Sequence, residues 1–175
     1  MNVILGLGSN LENKSKNLAE AIKLILEYEL LTDIICSAIY ESKAVLPIQA
    51  PKSWDQTYFN MVIGGNSKIP PYQMLTKIKE IEVYLGRNLA ADRWSPRIID
   101  IDILDYKYCI LNEKELTIPH KLLFTRQWAI VPFAEIAPDW EFAINPKEFN
   151  EAKLSQIITE MKFDDALFMK IGEIE

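Results

Sequence analysis

The run Ile99-Asp100-Ile101-Asp102-Ile103 constrains this chain more than any other stretch. Strict alternation has the period of a strand, so three isoleucines go to one face and both carboxylates to the other. At ~3.3 Å rise per residue, the two acids stand roughly 6–7 Å apart on that face. Like charges held that close repel, which a divalent cation bound to both would relieve. Paired oxygen ligands suit hard cations. The same alternation also describes a half-exposed strand whose acids simply meet water. Just upstream, Arg93-Trp94-Ser95-Pro96-Arg97 supplies two guanidiniums, an indole and a turn-forming proline. Guanidinium forks match the oxygens of an anionic ligand.

The whole chain narrows the choices further. With 175 residues, 49% of them hydrophobic and 25% charged, it reads as one globular domain, 1–175. A net charge of −6 argues against nucleic-acid binding and leaves any anionic ligand to a local cluster of cations. His120 is the only histidine, and no CxxC spacing occurs, so a zinc site is not expected. Cys36 and Cys109 lie in apolar, strand-like stretches and are expected as buried free thiols rather than a disulfide. No apolar stretch is long enough to cross a bilayer and the N-terminus has no signal-like pattern, so the expected compartment is the cytoplasm.

In chain order, Val3 to Gly8 reads as a strand. Its GxG is not a dinucleotide fingerprint, because Leu11 stands where the third glycine belongs, and no phosphate-binding GxxxxGK[ST] occurs. The two glycines are read as giving tight packing and a turn into the next helix. Lys14 to Tyr28 has helical spacing of apolar residues. Thr32 to Tyr40 reads as a strand, and Glu41 to Thr57 as a long irregular loop of the kind that closes over sites. Tyr58 to Gly64 is a strand with Tyr58, Asn60 and Val62 on one face. A helix follows from Pro70-Pro71 and ends at Gly86. Glu82 lies on or beside its apolar stripe, where a carboxylate either finds a partner or reaches solvent. A last helix starts near Arg126 and Trp128, and Trp128 is read as a core residue or as a stacking surface for a flat ligand. An amphipathic segment lies near Leu154 to Met161. Strand, helix, strand, strand, helix, strand is the order of a ferredoxin-like α+β sandwich, with helices on one face of an antiparallel sheet.

Five ordered blocks carry a resemblance to the 6-hydroxymethyl-7,8-dihydropterin pyrophosphokinases of folate biosynthesis. They are Gly8-Ser9-Asn10; Tyr58-Phe59-Asn60; Ile81-Glu82 through Gly86-Arg87; Arg93 through Asp102; and Leu116-Thr117-Ile118-Pro119-His120 with Arg126. The resemblance covers about residues 1–142 and leaves 143–175 as a C-terminal tail. It implies transfer of diphosphate from ATP to the pterin hydroxymethyl group, with release of AMP. It implies two Mg2+ ions held by Asp100 and Asp102, and Arg87, Arg93 and Arg97 as further catalytic residues. By the same resemblance Ser42, Val45, Tyr58, Asn60, Trp94 and Trp128 bind the pterin. Leu75, Glu82, Arg97, Ile103, Thr117, His120 and Arg126 bind ATP.

The chain departs from the family pattern in the loop Asn88 to Asp92, which has no positive charge, and at Glu115 and Lys121. The loop from Leu46 to Gln56, with Trp54, resembles versions fused to dihydropteroate synthase, and points to association or fusion with that enzyme. No membrane or nucleic-acid partner is implied. Two other readings compete. A non-catalytic ferredoxin-like binding module offers no reason for the clustered Arg93, Arg97, Asp100 and Asp102. RNA binding on the sheet lacks the aromatic pattern such sheets carry.

Overall fold

The computed structural model describes residues 1–88, 90–143, 154–160 and 168–174. The Ile/Asp run becomes β5 (Asp100–Tyr106), the edge strand of the main sheet. β5 pairs antiparallel with β1 (Val3–Ser9), and β1 with β4 (Tyr58–Asn66). Beyond β4 lie β2 (Thr32–Cys36) and β3 (Ile39–Ser42), each paired to a different part of it. The strand expected over 32–40 is thus broken, at Ser37-Ala38. Ser37 bridges the break: its N–H donates to Val62 O at 2.9 Å and its Oγ accepts from Val62 N at 2.9 Å. Order and pairing are those of the ferredoxin-like sandwich.

One sheet face is covered by α1 (Lys14–Glu27) and α2 (Pro71–Tyr84). Asn13 caps α1 by accepting from Lys16 N, and Pro71 starts α2 where a missing N–H costs nothing. Gly86, at φ 100°, provides the left-handed turn that ends the helix. Leu18, Ile25, Met74, Ile78 and Ile81 pack there against Leu5, Leu7, Ile101 and Ile103.

The opposite face is shared rather than open. α3 (Gln127–Ile136) covers part of it through Ile130 and Phe133, which meet Ile4, Val62 and Leu104. α4 (Leu154–Glu160) joins α3 through buried Leu154, and its start is tied down by Leu154 N to Trp140 O and Ser155 N to Pro138 O. The rest of this face is a cleft. A short hairpin, β6 (Leu111–Asn112) and β7 (Thr117–Ile118), leads to His120, whose N–H donates to Leu104 O at 2.8 Å.

One expectation, that both cysteines are buried, needs correction, and the tail, on which the sequence was silent, finds a place. The tail adds a strand, β8 (Phe168–Gly172), to the outer edge of β3, fastened by Lys170 Nζ to Glu135 Oε1 at 2.7 Å. Neither cysteine is a buried core thiol: Cys36 is exposed and Cys109 half-buried, both free. Cys36 ends β2, a strand whose residues all keep solvent contact because it lies at the side of the sheet. The parts of the tail at 144–153, 161–167 and 175 lie outside the described residues.

Candidate active site

The floor of the cleft is backbone. Gly6 pairs with Asp102 and Gly8 with Asp100, while on its other side Gly8 pairs with Asn60. The GxG is therefore mid-strand, not a turn into the helix. A Cβ at Gly8 would stand 3.4 Å from Asn60 Oδ1 and 3.6 Å from Tyr58 Cδ1, between the side chains that line the cleft. The turn expected there comes later. Buried Asn10 accepts from Arg97 N at 2.7 Å and donates its own N–H to Arg97 O at 3.2 Å, stapling the Arg-rich segment to the end of β1.

The cleft has a volume of about 390 Å3. Ser42, Val45, Tyr58, Asn60, Arg87, Arg93, Trp94, Arg97, Asp100, Asp102, His120, Arg126 and Trp128 all line it, so fold brings together thirteen of the residues singled out from sequence. Four do not line it. Glu82 is fully buried behind it, Leu75 and Ile103 pack in the helix-side core, and Thr117 sits on the hairpin with its hydroxyl donating to Glu113 O. Lys43 and Lys79, not singled out from the sequence, also line the cleft, as does Lys121, noted there only as a departure from the family pattern. Each looks like an ordinary surface lysine until the fold is known.

Charge in the cleft is dense and internally paired. Arg87 Nη1 hydrogen-bonds Asp100 Oδ1 at 2.6 Å and lies 2.6 Å from Glu82 Oε2, a charge contact rather than a directed hydrogen bond. Arg97 Nη1 approaches the other Asp100 oxygen at 3.3 Å, and Arg126 Nη1 stands 4.0 Å from Asp102 Oδ2. Burial works to raise the Asp100 carboxyl, but Arg97, Arg87 and Lys79 together hold it below the usual carboxylate range. Burial pushes Glu82 up against the pull of Lys79 and Arg87. His120 is pushed down, chiefly by burial, with Arg126 and Lys121 opposing the help of Asp102. Its Nδ1 accepts from Leu122 N at 3.3 Å, which leaves Nε2 as the protonated, donating nitrogen of a neutral ring.

Aromatic rings and an amide line the same cleft, with Tyr58 close to Arg97 and Asp100. Asn60 Nδ2 donates to Ser42 Oγ at 2.9 Å, which fixes the amide between β3 and β4. Tyr58 and Trp128 offer flat faces, and Arg93 lies over the Trp94 ring at 5.0 Å. Such a lining suits a flat polar heterocycle held next to a polyanion.

The donor set also decides which cation fits. Among the described residues no three His, Cys, Asp or Glu side chains cluster as a metal cage. Two carboxylates alone fit an ion that completes its shell with water and phosphate oxygens, as Mg2+ does. Both oxygens of Asp100 already face positive charge, from Arg87 and Arg97.

Comparison with known proteins agrees. Residues 4–138 match the family model for 7,8-dihydro-6-hydroxymethylpterin-pyrophosphokinase. The folate synthesis bifunctional protein of Chlamydia caviae is 36% identical over 155 residues, 89% of this chain and 34% of that protein. The chain thus spans about a third of the length of such bifunctional relatives. The 2-amino-4-hydroxy-6-hydroxymethyldihydropteridine pyrophosphokinase of Aquifex aeolicus is 34% identical over 86% of this chain and 89% of its own length. That of Haemophilus influenzae is 33% identical, with 96% of both chains covered. The crystal structure of wild-type Plasmodium falciparum HPPK-DHPS superposes with a TM-score of 0.62 at 14% identity, over 90% of this chain and 44% of that one, and so shares the fold. The chain belongs to the 7,8-dihydro-6-hydroxymethylpterin-pyrophosphokinase family.

Proposed function

We propose that this chain transfers diphosphate from ATP to the hydroxymethyl group of 6-hydroxymethyl-7,8-dihydropterin, giving AMP and the pterin diphosphate. The observation that carries this is the pairing of Asp100 and Asp102 on the cleft floor, ringed by Arg87, Arg93, Arg97 and Arg126 and continued by Tyr58, Asn60 and Trp128. Asp100 and Asp102 are assigned as the ligands of two Mg2+ ions. Held there, such ions would supply charge neutralisation for a phosphoryl-group transfer, while the two carboxylates fix where that charge stands. Arg87, Arg93 and Arg97 offset the charge that develops on the transferred group. His120 Nε2–H and Arg126 add donors on the nucleotide side.

The pterin is placed between Tyr58 and Trp128, with Asn60 reading its edge and Ser42, Val45 and Trp94 completing the pocket. Leu75, Ile103 and Thr117 are assigned to the nucleotide. They lie on α2, β5 and β7, the elements around the free edge of β5. Glu82 serves by anchoring Arg87. Residues 1–175 are taken as one pyrophosphokinase unit acting in the cytoplasm, alone or joined to dihydropteroate synthase. No helix among the described residues is long and apolar enough to cross a membrane.

The test is AMP formation from ATP that requires both Mg2+ and the hydroxymethyl-dihydropterin. Asp100→Ala and Asp102→Ala should each abolish it while circular dichroism stays unchanged. Undiminished turnover in either variant would remove the carboxylates from the chemistry.

A further inference from the structure

β5 is an edge strand, so the backbone groups on its outer side have no strand to bond. At Ile101 both are taken by side chains of α2. Ile101 N–H donates to Glu82 Oε1 at 2.7 Å, and Lys79 Nζ donates to Ile101 O at 3.1 Å. Lys79 Nζ also donates to Glu82 Oε1 at 2.8 Å, which closes the loop. The Lys79–Glu82 pair therefore does for this one residue what a neighbouring strand would do. Ile101 is the residue between Asp100 and Asp102, and its own side chain is fully buried in the core.

A buried Glu82 without a close cation would be costly. Among the described residues two cations meet it: Arg87 at Oε2, and Lys79 at Oε1 from the cleft wall, with its side chain 39% exposed; only Lys79 also reaches the Ile101 backbone. The same helix carries a second i,i+3 pair, Lys77 with Glu80, also at 2.8 Å, but its side chains are 49% and 54% exposed. That solvated pair is worth little. Lys79 and Glu82 differ because their pair reaches across to another element.

We propose that Lys79 is a positioning residue for the diphosphate transfer. Through Glu82 it braces the Ile101 backbone, and so sets the spacing and aim of the two carboxylates toward their cations. This rests on the assignment of Asp100 and Asp102 as cation ligands. Groups that orient metal ligands typically change metal affinity by about 10- to 100-fold when removed.

The test is Mn2+ binding in the presence of a non-hydrolysable ATP analogue, followed by electron paramagnetic resonance. It compares the unaltered chain with Lys79→Met, Lys79→Arg and the control Lys77→Met. Lys79→Met should weaken Mn2+ binding at least about 10-fold and raise the Mg2+ concentration for half-maximal turnover, with the KM for the pterin unchanged. Lys79→Arg should restore most of the affinity, and Lys77→Met should match the unaltered chain. Full Mn2+ affinity in folded Lys79→Met, or an equal loss in Lys79→Arg, overturns the proposal. If Lys79→Met does not fold, Lys79→Gln removes the charge at similar length and is read the same way. If the unaltered chain takes up no Mn2+ beside the nucleotide analogue, the carboxylate assignment itself fails and the proposal falls with it.

Discussion

Asp105 is an acid inside the sheet with a single side-chain hydrogen-bond partner among the described residues, Trp140. It is fully buried, with Oδ2 accepting from Trp140 Nε1 at 2.6 Å, and burial pushes its carboxyl up to about 7. In the unfolded chain it ionises near its ordinary 3.8. Between those values the unfolded state gives up the proton and the folded state keeps it, so stability falls as pH rises from about 4 to 7 and then levels. The full swing is on the order of 4 kcal/mol. Asp105→Asn keeps an acceptor for Trp140 and cannot ionise. Urea unfolding should find it clearly more stable than the unaltered chain at pH 8 and nearly equal at pH 4.5. A parallel pH dependence of the two chains would contradict this. Gly8 makes a second, sharper case. A single Cβ there meets Asn60 Oδ1 and Tyr58 at ordinary contact distance, but the branches of Gly8→Val fill the floor between them. That variant should fold, keep its KM for ATP, and lose pterin affinity by at least about tenfold, or 1.4 kcal/mol, in steady-state kinetics.

At the scale of elements, the joint between β1 and the Arg-rich segment is made by Asn10. Asn10→Ala leaves the Arg97 N–H without its 2.7 Å partner in a part-buried place. It should cost about 1–3 kcal/mol in unfolding experiments and weaken nucleotide binding; an unaffected melting curve would argue against the staple. α1, α2 and β5 were legible because their apolar residues recur at the period of a helix or a strand, and β1 and β4 because they are short apolar runs ending in glycines or polar residues. The break at Ser37 was not, since a hydroxyl that bonds Val62 makes the interruption invisible to periodicity. β8 was not, because its stability comes from an edge of β3 that only the fold exposes. In the cleft, the residues carried by motif blocks were found. Glu82 was flagged by one misplaced charge, and its partners proved to be Lys79, Arg87 and the Ile101 N–H. Lys79 itself was hidden, since nothing local separates it from Lys77 two positions earlier.

For the molecule as a whole, the contrast is between a net charge of −6 and a cleft lined by seven Lys and Arg side chains. The field that would draw in the proposed ATP is therefore short-ranged, and the remainder of the surface opposes it. Raising the ionic strength from about 0.05 to 0.5 M shortens the screening length to a few ångströms. The KM for ATP should rise several-fold across that range while the KM for the uncharged pterin stays flat; equal shifts in both would point to a general effect on the fold. A last consequence follows from Asp100, which meets a guanidinium at each oxygen. The protein carries its own counter-ions for that acid. Chelators should thus stop turnover without lowering the melting temperature, and preparations stripped with EDTA should store, concentrate and crystallise like untreated ones, then regain full activity once magnesium is returned.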